Sequence, residues 1–239
     1  MNWREFRSAG HLPTLVSAFL YFDVSFMIWT SLGALANFIG EELGLSATEK
    51  GLMISLPILS GALLRVVFGA LADRFGGRCI GLAGMGLTFL ALLLGWVFAD
   101  SLPRVFLLGL LLGVPGASFA VALPLASRCY PLRYQGIVMG LAGAGNSGTV
   151  LASLAAPRLA EAFGWHNVFL FWAVPLLCAT ALFARMAQDR SADLSIHSRP
   201  THRGVLREAD VWWLSLFYAL TFGGFVGLSN FLAVFFREE

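Results

Sequence analysis

Apolar residues fill seven long runs along the chain, separated by short polar breaks. The runs cover about 14–38, 50–71, 79–99, 104–127, 136–158, 166–186 and 211–236. Each approaches or exceeds the roughly 20 residues a helix needs to cross about 30 Å of hydrocarbon. The pattern predicts an all-α integral membrane protein, a bundle of about seven transmembrane helices. One polar stretch between runs is long, and it holds Arg190, His197, Arg199, Pro200, His202, Arg203 and Arg207. It divides the chain into a six-helix bundle over 1–187, a basic linker over 188–210 and one further helix over 211–239.

Composition agrees with this reading. Hydrophobic residues make up 58% of the chain and charged residues 13%, with a mean hydropathy of +0.76. A soluble domain carries about twice that charge. The net charge of +2 is too small to suggest a nucleic-acid partner. The placement of the charges says more. With the N-terminus in the cytoplasm, inner segments hold Arg4, Arg7, Arg74, Arg78, Arg128, Arg133, Arg185, Arg190, Arg199, Arg203 and Arg207. Outer segments hold only Lys50, Arg104, Arg158 and Arg237. Eleven against four sets the orientation by the preference of Lys and Arg for the cytoplasmic side. The acidic loop with Glu41, Glu42 and Glu49 then lies outside. Trp96 and Trp165 near outer span ends, and Trp212 and Trp213 near an inner one, read as interfacial anchors. The first run has no convincing small-residue cleavage site, so it reads as a span and not as a signal peptide.

Little in the chain suggests catalysis. Cys79, Cys129 and Cys178 are scattered without metal-site spacing. His11, His166, His197 and His202 lie in loops or at span ends without a catalytic partner. No nucleophile triad, phosphate loop or carboxylate pair falls within the spans, so neither an enzyme nor a metal or organic cofactor is expected. Two charged residues inside spans stand out. Arg65 lies deep in the second run, where an arginine costs roughly 2.5–3.5 kcal/mol on insertion scales. That cost points to a role at a polar cavity, and a guanidinium there implies an anionic substrate. Snorkelling to the inner surface, or pairing with Asp23, is the structural alternative. Asp23, the one acid inside the bundle, is a candidate either for carrying a coupled proton or for partnering Arg65.

The segment Gly69-Ala70-Leu71-Ala72-Asp73-Arg74-Phe75-Gly76-Gly77-Arg78 joins the second and third runs. It closely resembles the loop motif of the major facilitator superfamily of secondary transporters. In the fifth run, Gly140-Leu141-Ala142-Gly143-Ala144-Gly145-Asn146-Ser147-Gly148-Thr149 places Gly140, Ala144 and Gly148 on one face of a regular helix, open to close backbone approach. Asn146 and Gly145 then point elsewhere. This run resembles the glycine-rich signature of the nitrate/nitrite porter family. Gly113 to Ala120 and the loop Tyr130-Pro131 to Gln135-Gly136 are similar to that family as well.

The resemblance implies a substrate held near the midplane between two bundles, with alternating access by rocking. Arg65 matches the first of two arginines that hold the anion in that family. Phe26, Phe119, Tyr218 and Phe222 match its stacking aromatics, and Asn146 beside Gly145 would supply a directional amide. Gly69, Asp73, Arg74, Gly76 and Arg78 would form the gating loop. The expected partners are nitrate or nitrite, the bilayer of a bacterial inner membrane, and a C-terminal half. Family members have about twelve spans, so the linker and lone seventh run favour a longer gene product over a natural half-transporter. A carrier for another small anion, of carboxylate type, and a non-transporting half-transporter sensor or subunit remain alternatives.

Overall fold

The computed structural model describes residues 3–189 and 207–238. Much of the basic linker, with Arg190, His197, Arg199, Pro200, His202 and Arg203, lies outside them. Among the described residues, seven helical stretches are long and apolar enough to cross a membrane: Leu12–Leu43, Ala47–Phe75, Gly77–Phe98, Leu102–Ser127, Leu132–Phe163, Trp165–Met186 and Ala209–Phe231. They match the seven expected runs, with ends that differ by up to five residues. A short helix, Trp3–Ala9, precedes the first span.

Local chemistry sets the turns. The first span ends at Gly44, in the left-handed region at φ 64°. The second begins at a capping box, in which Ser46 Oγ accepts from Glu49 N (3.3 Å) and Glu49 Oε2 accepts from Ser46 N (2.9 Å). The second and third spans meet at Phe75-Gly76, and the fifth and sixth at Phe163-Gly164. Gly76 (φ 92°, ψ 144°) and Gly164 (φ 83°, ψ 146°) adopt nearly the same conformation, one open to glycine alone. With successive spans alternating in direction, these two hinges lie at opposite ends of the bundle.

The first span runs through the centre, with 78% of its apolar window buried, and the fourth follows with 67%. Because lipid is as apolar as leucine, helices associate here mainly through close packing. Gly113 seats against Ser60 and Gly61, where a Cβ would come within 2.7 Å of the Gly61 nitrogen. Gly145 lies on Phe22 and the Asp23 backbone, and Gly148 on the Asp23 and Met27 backbone. The seventh span is only 6% buried. It touches the first span where buried Asn230 packs on Gly33.

Two sequence expectations are corrected. Gly140 and Ala144 do not share a packing face with Gly148: Gly140 is exposed with nothing within 4 Å of its Cβ position, and Ala144 is exposed too. The cause is the 3₁₀ turn Ala144–Ser147, which advances the chain faster than an α-helix. Four residues at about 120° instead of about 100° each rotate Gly148 by roughly 80° from its α-helical position. The buried stripe is instead Val138, Ala142, Gly145, Gly148, Ala152, Ala156 and Ala160. Trp165, expected as an interfacial anchor, is buried at 3% exposure. Its indole Nε1 donates to Glu42 Oε2 at 2.7 Å, tying the sixth span to the end of the first. Trp96, Trp212 and Trp213 are exposed.

Candidate anion site

Three of the inner helices are irregular where they meet. The first span is interrupted at Thr30, whose Oγ1 donates to Phe26 O (3.0 Å) while Ser31 Oγ donates to Met27 O (2.9 Å). Such back-bonding bends helices. The fifth span carries the 3₁₀ turn already described. In the fourth span, Ala120 N donates to Ala117 O and Val121 N to Ser118 O, each at 3.0 Å. This tightening takes the amide that would ordinarily serve Gly116 O. Arg65, from the second span, uses that carbonyl: its Nε donates to Gly116 O at 3.1 Å.

The rest of the guanidinium sits among rings. Its carbon lies 5.3 Å from the Trp29 ring centre, 5.5 Å from Phe119 and 4.8 Å from Phe222. Each distance falls within cation–π range. Tyr218 stacks on Phe222 at 5.0 Å with 8° between planes, and lies 5.9 Å from Phe119. Phe26 joins the cluster, 4.8 Å from Trp29 and 6.3 Å from Phe222. The sequence-predicted residues Arg65, Phe26, Phe119, Tyr218 and Phe222 therefore converge, drawn from the first, second, fourth and seventh spans. Phe26 is fully buried and forms the back wall.

One feature of Arg65 points to a ligand. Its Nη2 is buried and has no hydrogen-bond partner among the described residues. An unpaired donor on a buried charge is costly, and native proteins seldom leave one without a reason.

Asp23 does not meet Arg65. Ser147 Oγ donates to Asp23 Oδ1 at 2.6 Å, so the carboxylate is held by the fifth span. Asn146 folds back on its own helix, with Nδ2 donating to Gly143 O (3.0 Å) and its buried Oδ1 left without a partner. Nothing in the described contacts joins Asn146 to the Arg65 cluster.

The loop residues form a separate network at the Arg-rich end. Arg128 Nη2 donates to Asp73 Oδ1 at 2.5 Å. Asp189, beyond the sixth span, accepts from Arg78 N at 3.1 Å, capping the third span from outside it. Arg78 Nη2 donates to Ala184 O at 2.6 Å. A Cβ on Gly76 would lie 2.6 Å from Asp189 Oδ2, so the positive φ and the cap both demand glycine there. Gly69 faces Ala120 at an ordinary 3.8 Å, and Arg74 lies on Phe75.

Sequence reading missed Trp29, Gly116 and Ser147. Trp29 wedges its indole against Gly61 and Gly116 and donates Nε1 to Pro57 O at 2.8 Å, setting the floor beneath Arg65. The available signal was the i, i+4, i+7 spacing of Phe22, Phe26 and Trp29.

Residues 17–239 match the family profile described as Major Facilitator Superfamily. Among curated relatives, a nitrite extrusion protein of Bacillus subtilis is 32% identical over 90% of this chain and 54% of its own length. A probable nitrate/nitrite transporter of Mycobacterium tuberculosis is 33% identical over 95% of this chain and 58% of its own. A probable nitrate/nitrite antiporter of Thermus thermophilus is 31% identical over 92% and 52%. The chain spans about half the length of the curated relatives it matches. A solved structure, a bacterial homolog of the human lysosomal transporter Spinster, superimposes with a TM-score of 0.68 over 93% of this chain and 54% of that one, at 19% identity. This likeness extends to the fold. By profile and fold together, the chain belongs to the Major Facilitator Superfamily.

Proposed function

We propose that this chain forms the N-terminal portion of a secondary transporter that moves nitrate, nitrite or both across the cytoplasmic membrane by alternating access. The observation that carries the reading is the buried, unpartnered Nη2 of Arg65 inside an aromatic cage. A guanidinium offers coplanar donors, which suit two oxygens of a flat anion. Phe119, Phe222 and Tyr218 present ring faces that fit a thin, planar solute better than a tetrahedral one. The names of the relatives, nitrite extrusion and nitrate/nitrite transport, support the same choice. The exposed seventh span suits a second bundle packing beside it and supplying the opposite wall.

In this reading the N-terminus and the Asp73–Arg128 end face the cytoplasm, following the eleven-to-four bias of Lys and Arg. Gly69, Asp73, Arg74, Gly76 and Arg78 gate that end. Gly145 brings the fifth span against the first, and Asn146 supplies a polar group near the pathway. Asp23 is a candidate proton carrier, since its buried carboxylate is held by the Ser147 hydroxyl and the Gly148 backbone and makes no ion pair among the described residues. Nitrate/nitrite exchange needs no such carrier, so Asp23→Asn separates the two couplings. Loss of pH-gradient-driven uptake with counterflow intact assigns the proton to Asp23; unchanged gradient-driven uptake makes it structural.

Substrate class is tested by uptake of labelled nitrate, nitrite and acetate into vesicles carrying the full-length protein. Saturable nitrate or nitrite uptake that acetate does not inhibit is expected. Preferential acetate uptake would replace this reading with a carboxylate carrier, and binding without flux would favour a sensor.

A further inference from the structure

Building on the transport reading, we propose that Trp29 is the positioning residue of the anion site. It fixes the aim of the Arg65 guanidinium, and through that aim it sets the affinity for the anion.

Pro57, Gly61 and Arg65 follow one another at i, i+4 and i+8, so they share one face of the second span. The Trp29 indole lies along that face and meets all three. Its Nε1 donates to Pro57 O at 2.8 Å, and a Cβ on Gly61 would stand 3.0 Å from the same nitrogen. The Arg65 guanidinium carbon lies 5.3 Å from the ring centre. The fourth span closes the other side of the slot, where a Cβ on Gly116 would lie 2.5 Å from Nε1. Gly116 is also the acceptor of Arg65, whose Nε donates to its carbonyl at 3.1 Å. The wedged indole therefore sets the gap across which that bond is made.

The other two rings on the guanidinium are held less firmly. Phe222 belongs to the seventh span, which is only 6% buried and in the transport reading travels with the second bundle. Phe119 is half-buried and has no polar atom to tether it. Trp29 is 3% exposed, belongs to the same bundle as Arg65, and is bonded to the span that carries Arg65. It keeps its place on the guanidinium while Phe222 moves. With Nε and one ring face held, the buried Nη2 stays aimed at one point. Small misplacements of a binding group are costly, so that aim governs affinity.

The test is a double-mutant cycle on nitrate affinity in the purified full-length protein. Trp29→Phe keeps a ring face and removes the donor to Pro57 O. It should weaken nitrate binding about tenfold beside Arg65. Beside Arg65→Lys it should cost less than about twofold, because an ammonium has no plane to orient. Gly61→Ala presses on the indole without touching Arg65, and should show the same dependence on Arg65 at a severalfold loss. It carries the test if Trp29→Phe fails to fold. Trp172→Phe, at a second buried indole whose Nε1 has no partner among the described residues, should leave affinity unchanged. Losses that simply add, or unchanged affinity in both Trp29→Phe and Gly61→Ala, would overturn the role of Trp29 and leave the transport reading standing. Unmutated protein that binds no nitrate would overturn both.

Discussion

Arg65 and the glycines of the fifth span carry most of the information at the level of single residues. A Cβ on Gly148 would run into the Asp23 and Met27 backbone, the latter at 2.8 Å, whereas one on Gly140 would meet nothing. Overpacking a tight contact costs about 1–3 kcal/mol. Gly148→Ala should therefore lower the melting temperature in detergent, with Gly140→Ala neutral; equal effects would contradict the described packing. Arg65 and the four aromatics were legible in sequence because charge inside an apolar run and a family pattern both mark them. Trp29, Gly116 and Ser147 were not, because their roles depend on where helices break. A period of 3.6 cannot foresee that Ala120 bonds to Ala117 and releases Gly116 O, or that a 3₁₀ turn rotates Gly148 inward. The same limit leaves an Asp23–Arg65 pair open as an alternative in the sequence, while the folded chain gives Asp23 to Ser147.

Among elements, the seven spans were readable from run length alone, and two of their connections are matched glycine hinges. Gly76 and Gly164 share one backbone conformation but differ in surroundings. Asp189 stands 2.6 Å from a Cβ at Gly76, and nothing lies within 4 Å at Gly164. Alanine at either should cost about 1–3 kcal/mol for the conformation. At Gly76 it also displaces the Asp189 cap from Arg78, so Gly76→Ala should destabilise more than Gly164→Ala in thermal unfolding. Equal losses would mean that Asp189 does not hold the third span. The cap itself had no sequence signal, since Asp189 and Arg78 are 111 residues apart. The Asp73–Arg128 pair is half-exposed, and such pairs contribute about 0–1 kcal/mol. Asp73→Asn should thus leave stability almost unchanged while altering transport rate, and a large melting shift would give the pair a structural role.

At the scale of the whole molecule, the placement of Lys and Arg sets the N-terminus in the cytoplasm, and thiol labelling checks it. In a cysteine-free background, an impermeant thiol reagent applied to intact cells should label Thr48→Cys, in the first turn of the second span. It should spare Arg133→Cys, in the first turn of the fifth. Both positions are exposed, so the reverse pattern would overturn the orientation taken from arginine placement.

The anion site at Arg65 is tested most directly by Arg65→Lys in the full-length protein, read as nitrate affinity, with expression and monodispersity as folding controls. Lysine keeps the charge and snorkels as well as arginine, but loses the planar fork and is more strongly hydrated. Losing one charge-assisted hydrogen bond in a dry cavity costs roughly 1.5–3 kcal/mol, so affinity should fall about tenfold to a hundredfold. A well-folded Arg65→Lys variant that binds nitrate with near-normal affinity would contradict the site.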